Sequence, residues 1–321
     1  MKIAAAISRA IRSEIDKAKD ILIISHRSPD ADTNGANLAL RLFAEKHGKK
    51  VTSACVDEID SRYLFLAGAG SFVREFKPQA FDLYLCVDCG SLSQAQFPQK
   101  YPQMIKGKKT LINIDHHPSN SRYGAINLVI EDAASTTLIT FGLFKSWNVP
   151  VSPAAATCLM AGLYFDTGSF MHSNTDGDVY AAAGELLALG AKKDLIVDNL
   201  FRRHTIEKLR LLGKILNETR LTDKNVAISA VRKEDYETCR ADQHDLSGAI
   251  DLLNSVKGSR FAALLSEDSD GNVRGSLRTR YEDVNLSEIA GSLGGGGHKK
   301  ASGFSVKGRL KKEIRWVIRQ D

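Results

Sequence analysis

The sequence predicts an α/β fold, with an N-terminal domain on a doubly wound, mostly parallel sheet and a smaller C-terminal α/β domain joined by a helical connector. Three observations lead there. Short apolar runs alternate with helix-period stretches over residues 3–163, the pattern of parallel strands covered by helices. Residues 179–216 turn helical and charged without a strand-like run, and strand-like runs then return. At 321 residues the chain is also about twice the usual domain size.

In order, residues 3–19 read as a helix, and 21–25 form an apolar run without polar alternation, which suits a strand buried on both faces. A polar loop follows, then a helix over 35–47. Strands are expected over 51–56, 81–87 and 110–114, and helices over 135–147 and 153–163. In the second half, strands are expected over 226–231, 261–265 and 273–277, with a helix near 244–256. A last helix, 308–319, would pack through Leu310, Ile314, Val317, Ile318 and Trp316, leaving Lys311, Lys312, Arg315 and Arg319 to water. The expected domains are 1–190 and 217–321, with 191–216 as a helical linker.

The formal charge of +6 is unevenly placed. Residues 1–190 hold 19 basic and 19 acidic side chains, residues 191–288 hold 17 of each, and residues 289–321 hold 8 and 2. Base spread for non-specific nucleic-acid binding is disfavoured, and a local anion site near the C-terminus is expected. The sequence holds no apolar run near the roughly 18 residues that cross a bilayer. The first 20 residues lack a signal-peptide core, so a cytoplasmic protein with reduced thiols is expected. Cys86 and Cys89 form one CxxC, but no second pair completes a zinc site, and a buried strand end is the better reading.

In doubly wound sheets, ligands bind outside the carboxyl ends of the strands. Reading those ends gives His26, Asp30 and Asp32 after 21–25, Asp88 after 81–87, and Asp115, His116 and His117 after 110–114. Asp166 follows the apolar stretch 159–165, read as a fourth such end. A single Asp after a strand is usually a cap or turn residue, and Asp30 and Asp32 can serve the helix near Gly35. Four ends converging on Asp and His point instead to a metal centre. Clustered carboxylates need a cation, and oxygen and imidazole donors without thiolate suit Mn²⁺, Mg²⁺, Fe²⁺ or Co²⁺. Five Asp and three His exceed one ion's needs, so two divalent ions sharing a carboxylate are expected, with a phosphate placed opposite them.

These segments, Ser25–Asp32, Val87-Asp88-Cys89-Gly90, Ile114-Asp115-His116-His117-Pro118 and Phe165–Phe170, resemble the motifs of the DHH phosphoesterases, in order and over nearly the whole chain. The resemblance implies one ion on His26, Asp30 and Asp88, and a second on Asp32, Asp88, His116 and Asp166, with Asp88 shared. It also implies that His117 contacts the substrate phosphate and that Asp115 supports the site from behind. The first motif departs from the family's Asp-Gly-Asp and Gly-Ser pattern at Ala31 and Ala36, where Asn34 or Asn37 is expected to supply the missing polar contact.

The C-terminal half adds Arg278 at a strand end and the run Gly294-Gly295-Gly296-Gly297-His298-Lys299-Lys300. Four glycines are costly as loop filler, and successive N–H groups without side chains can form an anion nest. Arginine grips phosphate with two parallel bonds. These segments resemble the substrate-binding domain that accompanies RecJ-like and nano-RNase enzymes, which implies that Arg278, Gly295, Gly296, Gly297 and His298 hold a nucleotide.

The expected reaction is therefore two-metal hydrolysis of a phosphoester, with Mn²⁺ the expected ion. By resemblance the substrates are short RNA or DNA oligonucleotides or 3′-phosphoadenosine-5′-phosphate, with a homodimer implied and no membrane partner. A cyclic- or linear-dinucleotide phosphodiesterase would share the same residues. A nucleotide sensor without catalysis is disfavoured by the intact ligand set, and a pyrophosphatase by the C-terminal glycine motif.

Overall fold

The computed structural model describes residues 3–107 and 109–313. The chain divides into two compact units, Met1–Arg203 and His204–Asp321.

The first unit opens with α1 (Ala5–Lys17) and then runs β1 (Asp20–Ile24), α2 (Ala31–Lys46), β2 (Lys50–Ala54), β3 (Leu83–Val87), β4 (Thr110–Asp115) and β5 (Ile126–Val129). Four helices follow: α3 (Thr136–Ser146), α4 (Pro153–Asp166), α5 (Gly177–Ala188) and α6 (Lys193–Phe201). The sheet is parallel throughout, in the order β2-β1-β3-β4-β5. Strand β5 escapes the sequence reading because it is only four residues long and Asn127 interrupts its apolar residues Ile126, Leu128 and Val129.

Strand period decides which layer each side chain joins. Ile21 and Ile23 of β1, with Leu83, Leu85 and Val87 of β3, pack into the main core with α2, α3 and α4. Leu22, Ile24, Tyr84 and Cys86 point the other way, into a smaller core closed by Phe81, Phe97 and Met104. Burial on both faces is why these strands read as unbroken apolar runs.

Helices α2 and α4 meet at two glycines. A Cβ on Gly35 would stand 2.4 Å from the Cys158 carbonyl oxygen, and one on Gly162 would stand 2.6 Å from Asp32 Oδ1. The contact requires backbone without side chain at both positions.

The strand order reverses between β1 and β3, which opens a crevice at their carboxyl ends. His26 follows β1 and Asp88 follows β3. Asp166 departs from the expected pattern. It is the last residue of α4, so the apolar stretch before it belongs to the helix expected over 153–163, which runs on to Asp166, and not to a strand.

The second unit contains α7 (Ile206–Glu218), β6 (Arg220–Leu221), β7 (Val226–Val231), α8 (Lys233–Cys239), α9 (Ala249–Asn254), β8 (Phe261–Glu267), β9 (Asn272–Arg278), α10 (Leu286–Ser292), β10 (Gly296–His298) and β11 (Ala301–Lys307). Its sheet runs β10-β11-β9-β8-β7-β6, with only β7 and β8 parallel. Helices α6 and α7 occupy most of the span 191–216 expected as a helical linker. Ile196 and Leu200 of α6 join the first unit's core, while Leu211 and Ile215 of α7 join the second's. Of the helix expected over 308–319, residues 308–313 are not helical, and the remainder lies outside the described residues. No helix among the described residues is long and apolar enough to cross a membrane.

Candidate metal centre

Asp88 sits at the middle of the first unit's polar crevice. It lies one residue past β3, almost fully buried, in the left-handed backbone region (φ 56°) that Asp tolerates better than most residues. Its N–H donates to the Ile114 carbonyl at 2.9 Å, which fixes the turn. Asp88 Oδ2 lies 3.6 Å from His26 Nε2, and Oδ1 lies 3.6 Å from His116 Nε2. His116 Nε2 is also 3.4 Å from Asp166 Oδ2.

Among the described residues, three groups have ligand-type atoms mutually within 4.8 Å: His26, Asp30 and Asp88; Asp32, His116 and Asp166; and Asp88, His116 and His117. The crevice thus brings together all the metal-ligand candidates read from the sequence, including Asp166 from its helix end. The donor chemistry fits divalent cations. His26 Nδ1 lies 2.6 Å from the Arg27 carbonyl and His116 Nδ1 lies 3.1 Å from the Ala133 carbonyl. A carbonyl only accepts, so each Nδ1 carries a hydrogen and each ring turns its Nε2 toward the carboxylates of the crevice, the usual support of a ligating histidine.

His117 is held differently. Its Nδ1 lies 2.7 Å from Asp115 Oδ1. Asp115 is wholly buried at the end of β4, and its Oδ2 accepts from Asn120 Nδ2 at 2.5 Å. Asn120 Nδ2 also reaches the Cys89 carbonyl at 3.1 Å, tying the His117 support to the turn that carries Asp88.

Asp30 is the N-cap of α2, its Oδ1 accepting from the N–H groups of Asp32 and Thr33. Asp32 reaches a different helix. Its Oδ2 accepts from Thr136 N–H at 2.6 Å and its Oδ1 from Thr137 N–H at 2.9 Å, at the N-terminus of α3, where the helix dipole favours negative charge. The helix begins at Ala31, so Ala36 lies well inside it. Asn34 Nδ2 donates to the Pro29 carbonyl at 3.3 Å, and Asn37 Nδ2 donates to the Ile23 carbonyl and Ser25 Oγ.

The charges here are strongly coupled. Burial, then the neighbouring Asp88 and Asp30, push the Asp32 carboxyl well above the usual range. Burial acts the same way on Asp88, but hydrogen bonding to His26 and the charges of His26, His116 and His117 outweigh it and hold Asp88 far below the carboxylate range. Burial lowers His26 and His117, yet Asp88 holds His26 up to about 10 and Asp115 holds His117 up to about 9. With only protein groups present, protons on imidazole offset the carboxylates, a task that divalent cations take over.

In the second unit, register places the other candidates on one line. His298 is opposite Ala301, and Ala301 is opposite Arg278. Directly opposed residues share a sheet face, so His298 and Arg278 face the same way from strands two apart, about 10 Å between backbones. Arg278 Nε lies 3.2 Å from Asp251 Oδ1. The glycines also have a structural role of their own. The N–H groups of Gly294 and Gly295 donate to the carbonyls of Gly291 and Ala290, closing α10. A Cβ on Gly295 would meet the Gly303 carbonyl at 2.1 Å, and one on Gly297 the Ala301 carbonyl at 2.6 Å, so those two permit close approach of β11. At Gly296 a Cβ would meet nothing within 4 Å.

Residues 20–163 match the model described as the DHH family, N-terminal domain, and residues 223–320 match the DHHA1 domain. The chain belongs to the DHH family. A bifunctional oligoribonuclease and PAP phosphatase NrnA of Thermus thermophilus is 28% identical over 309 residues, covering 96% of this chain and 89% of that protein. The cyclic-di-AMP phosphodiesterase GdpP of Geobacillus thermodenitrificans is 28% identical over 317 residues, covering 92% of this chain and 46% of that protein. A crystal structure of an exopolyphosphatase-related protein from Bacteroides fragilis superposes with a TM-score of 0.89 at 25% identity, covering 96% of this chain and 93% of that one.

Within the DHH frame, sequence reasoning missed the hydroxyl groups that hold the acids. Thr137 Oγ1 donates to Asp32 Oδ1 at 2.6 Å and Thr136 Oγ1 to Asp88 Oδ1 at 3.0 Å. Thr33 Oγ1 lies 2.6 Å from Asp88 Oδ2. Ser135 caps α3. The run Ser135-Thr136-Thr137 before an apolar helix was the available signal, but it reads as a cap alone.

Proposed function

We propose that this DHH-family chain is a divalent-metal-dependent phosphoesterase that hydrolyses short oligonucleotides and 3′-phosphoadenosine-5′-phosphate. The observation that supports it most is the pair of donor groups, His26–Asp30–Asp88 and Asp32–His116–Asp166, flanking one buried carboxylate at the β1/β3 crevice. In this reading Asp88 is shared between two ion positions, and Mn²⁺ is the ion. Divalent cations held there would supply Lewis-acid polarisation of the phosphoryl oxygens and a water acidic enough to attack at neutral pH.

The remaining work belongs to the chain. His117, oriented through Nδ1 by Asp115, offers its other ring nitrogen to a phosphoryl oxygen and so favours the charge that builds up there. Asp115 does not touch substrate; it fixes the ring. Arg278 and the segment Gly295-Gly296-Gly297-His298 bind the nucleotide, so that remote groups help align the reacting phosphate. A cytoplasmic location and a homodimer belong to the same reading, as do domain limits near 1–190 and 217–321.

A second reading has one observation in its favour. Likeness to a cyclic-di-AMP phosphodiesterase over 92% of this chain supports a cyclic or linear dinucleotide as substrate. A panel separates them: with Mn²⁺, the full chain is given 3′-phosphoadenosine-5′-phosphate, a linear dinucleotide, a cyclic dinucleotide, a five-mer RNA, long single-stranded DNA and pyrophosphate. Fastest turnover of the first, second and fourth is expected. Preference for the cyclic dinucleotide would select the second reading, and preference for pyrophosphate or long DNA would overturn both.

A further inference from the structure

Among the polar groups of the crevice, the Thr33 hydroxyl stands apart because it belongs to none of the ligand types by which the site was found. It lies 2.6 Å from His26 Nε2, 2.6 Å from Asp88 Oδ2 and 3.2 Å from Asp30 Oδ1. Those are the three side chains of one donor group. One hydroxyl has one hydrogen, so it cannot donate to all three neighbours. His26 Nδ1 is taken up by the Arg27 carbonyl, so the ring turns Nε2 toward the hydroxyl, beside the two carboxylate oxygens. One imidazole nitrogen, two carboxylate oxygens and a hydroxyl oxygen thus converge on one point, the donor set that a hard divalent cation takes.

The spacing agrees with that. Donor atoms at right angles around an ion bound at about 2.1 Å stand about 3 Å apart. The separations here, 2.6, 2.6 and 3.2 Å from the hydroxyl and 3.6 Å between His26 Nε2 and Asp88 Oδ2, bracket that value. Thr33 is wholly buried in the first turn of α2, and its N–H is bonded to Asp30 Oδ1 at 3.0 Å. Its side chain is therefore held in place before any ligand arrives.

We propose that Thr33 Oγ1 is a fourth donor of the ion position formed by His26, Asp30 and Asp88. This rests on the reading of the crevice as a two-ion centre. A neutral hydroxyl oxygen is a hard donor, and an added oxygen raises the coordination number. Both effects suit Mn²⁺ or Mg²⁺ over Zn²⁺, which favours four-coordinate nitrogen- and sulfur-rich sites. Thr33 thereby sets the ion preference of one position and leaves the other, on Asp32, His116 and Asp166, unchanged.

The test is a calorimetric titration of the metal-free full chain with Mn²⁺ and separately with Zn²⁺, without substrate. Wild type, Thr33→Val and Thr33→Ser are compared, with thermal unfolding of each metal-free protein alongside. Thr33→Val keeps the branched shape and removes the hydroxyl. It is expected to weaken one of two Mn²⁺ sites by about tenfold or more, to weaken Zn²⁺ less, and to leave the second site as it was; Thr33→Ser should restore the lost affinity. Two Mn²⁺ sites in Thr33→Val with wild-type affinities would overturn the proposal. So would equal loss at both sites, since that would make Thr33 a general support of Asp88. A wild-type chain that binds no divalent ion would instead overturn the two-ion reading itself.

Discussion

Asp32 and Thr137 are joined twice. The N–H and the hydroxyl of Thr137 both donate to Asp32 Oδ1, at 2.9 and 2.6 Å, across 105 residues of sequence. Both residues are wholly buried, so the first turn of α2 and the first turn of α3 are held together by a carboxylate that water does not reach. The same carboxylate is one of the acids expected to hold an ion. Support of the fold and preparation of the site therefore depend on the same bonds.

Replacing Thr137 with Val removes one of those donors and keeps the side-chain shape. Leaving a buried acceptor without its partner costs about 1–3 kcal/mol, so thermal unfolding should show a loss of that order, and Thr137→Ser should recover most of it. A Thr137→Val protein as stable as wild type would mean that the hydroxyl bond contributes nothing.

Asp88→Asn isolates charge from backbone. Asn also accepts the left-handed conformation, so the turn after β3 should persist and circular dichroism should be unchanged. Turnover of a linear dinucleotide with Mn²⁺ should fall by about 100-fold or more, as expected when a charge-stabilising group at a reacting phosphate is lost. Wild-type turnover would exclude Asp88 as the shared carboxylate.

Arg278→Ala tests the second unit. Loss of a charge-assisted contact to nucleotide should raise KM for a linear dinucleotide by about tenfold or more. Hydrolysis of bis(4-nitrophenyl) phosphate, which lacks the rest of a nucleotide, should change much less. Equal losses on the two substrates would show that Arg278 does not act as a nucleotide clamp.

The second unit should also respond to acid through Asp235. Burial tends to raise this carboxyl, but a backbone N–H from Arg232 and the Lys214 ammonium, 3.0 Å away, hold it below the usual range. A depressed folded value means that the group stabilises fully above its unfolded pKa of about 3.9 and loses that contribution as pH falls through the folded value. Denaturant unfolding followed from pH 7 down to pH 3 should show wild type and Asp235→Asn converging at the acid end. A constant difference across that range would rule out the linkage.

The sheet and the acidic and histidine side chains that meet at the crevice were largely legible in the sequence because both leave short-range marks. Residues 21–25 and 81–87 are apolar without alternation since both faces of the sheet are covered, and each ends in a donor. Asp166 was legible as a ligand candidate and the helix over 153–163 was expected, but not that it runs on to Asp166, since Tyr164 and Phe165 continue the apolar run as a strand would. Thr33, Thr136, Thr137 and Asn120 were not legible as site residues. Each acts by bonding to a residue distant in sequence or by facing inward on a helix turn, and threonine before an apolar run reads as a cap. The glycine run was conspicuous in the sequence, but its packing role was not legible: at Gly295 and Gly297 the missing side chains make room for β11.

The buried thiols have a practical consequence. Cys55, Cys86, Cys89 and Cys158 belong to the first unit and Cys239 to the second; all are free and buried. Burial pushes the Cys55 thiol up to about 11 and the Cys158 thiol up to about 12, far from the thiolate form that reacts. A sulfur so placed meets an alkylating reagent only when its own surroundings open. Pulsed alkylation read by mass spectrometry should therefore count adducts separately for each unit, giving the opening rates of both from one sample of unaltered protein. The native cysteines thus make an internal pair of stopwatches, one for each half of the chain.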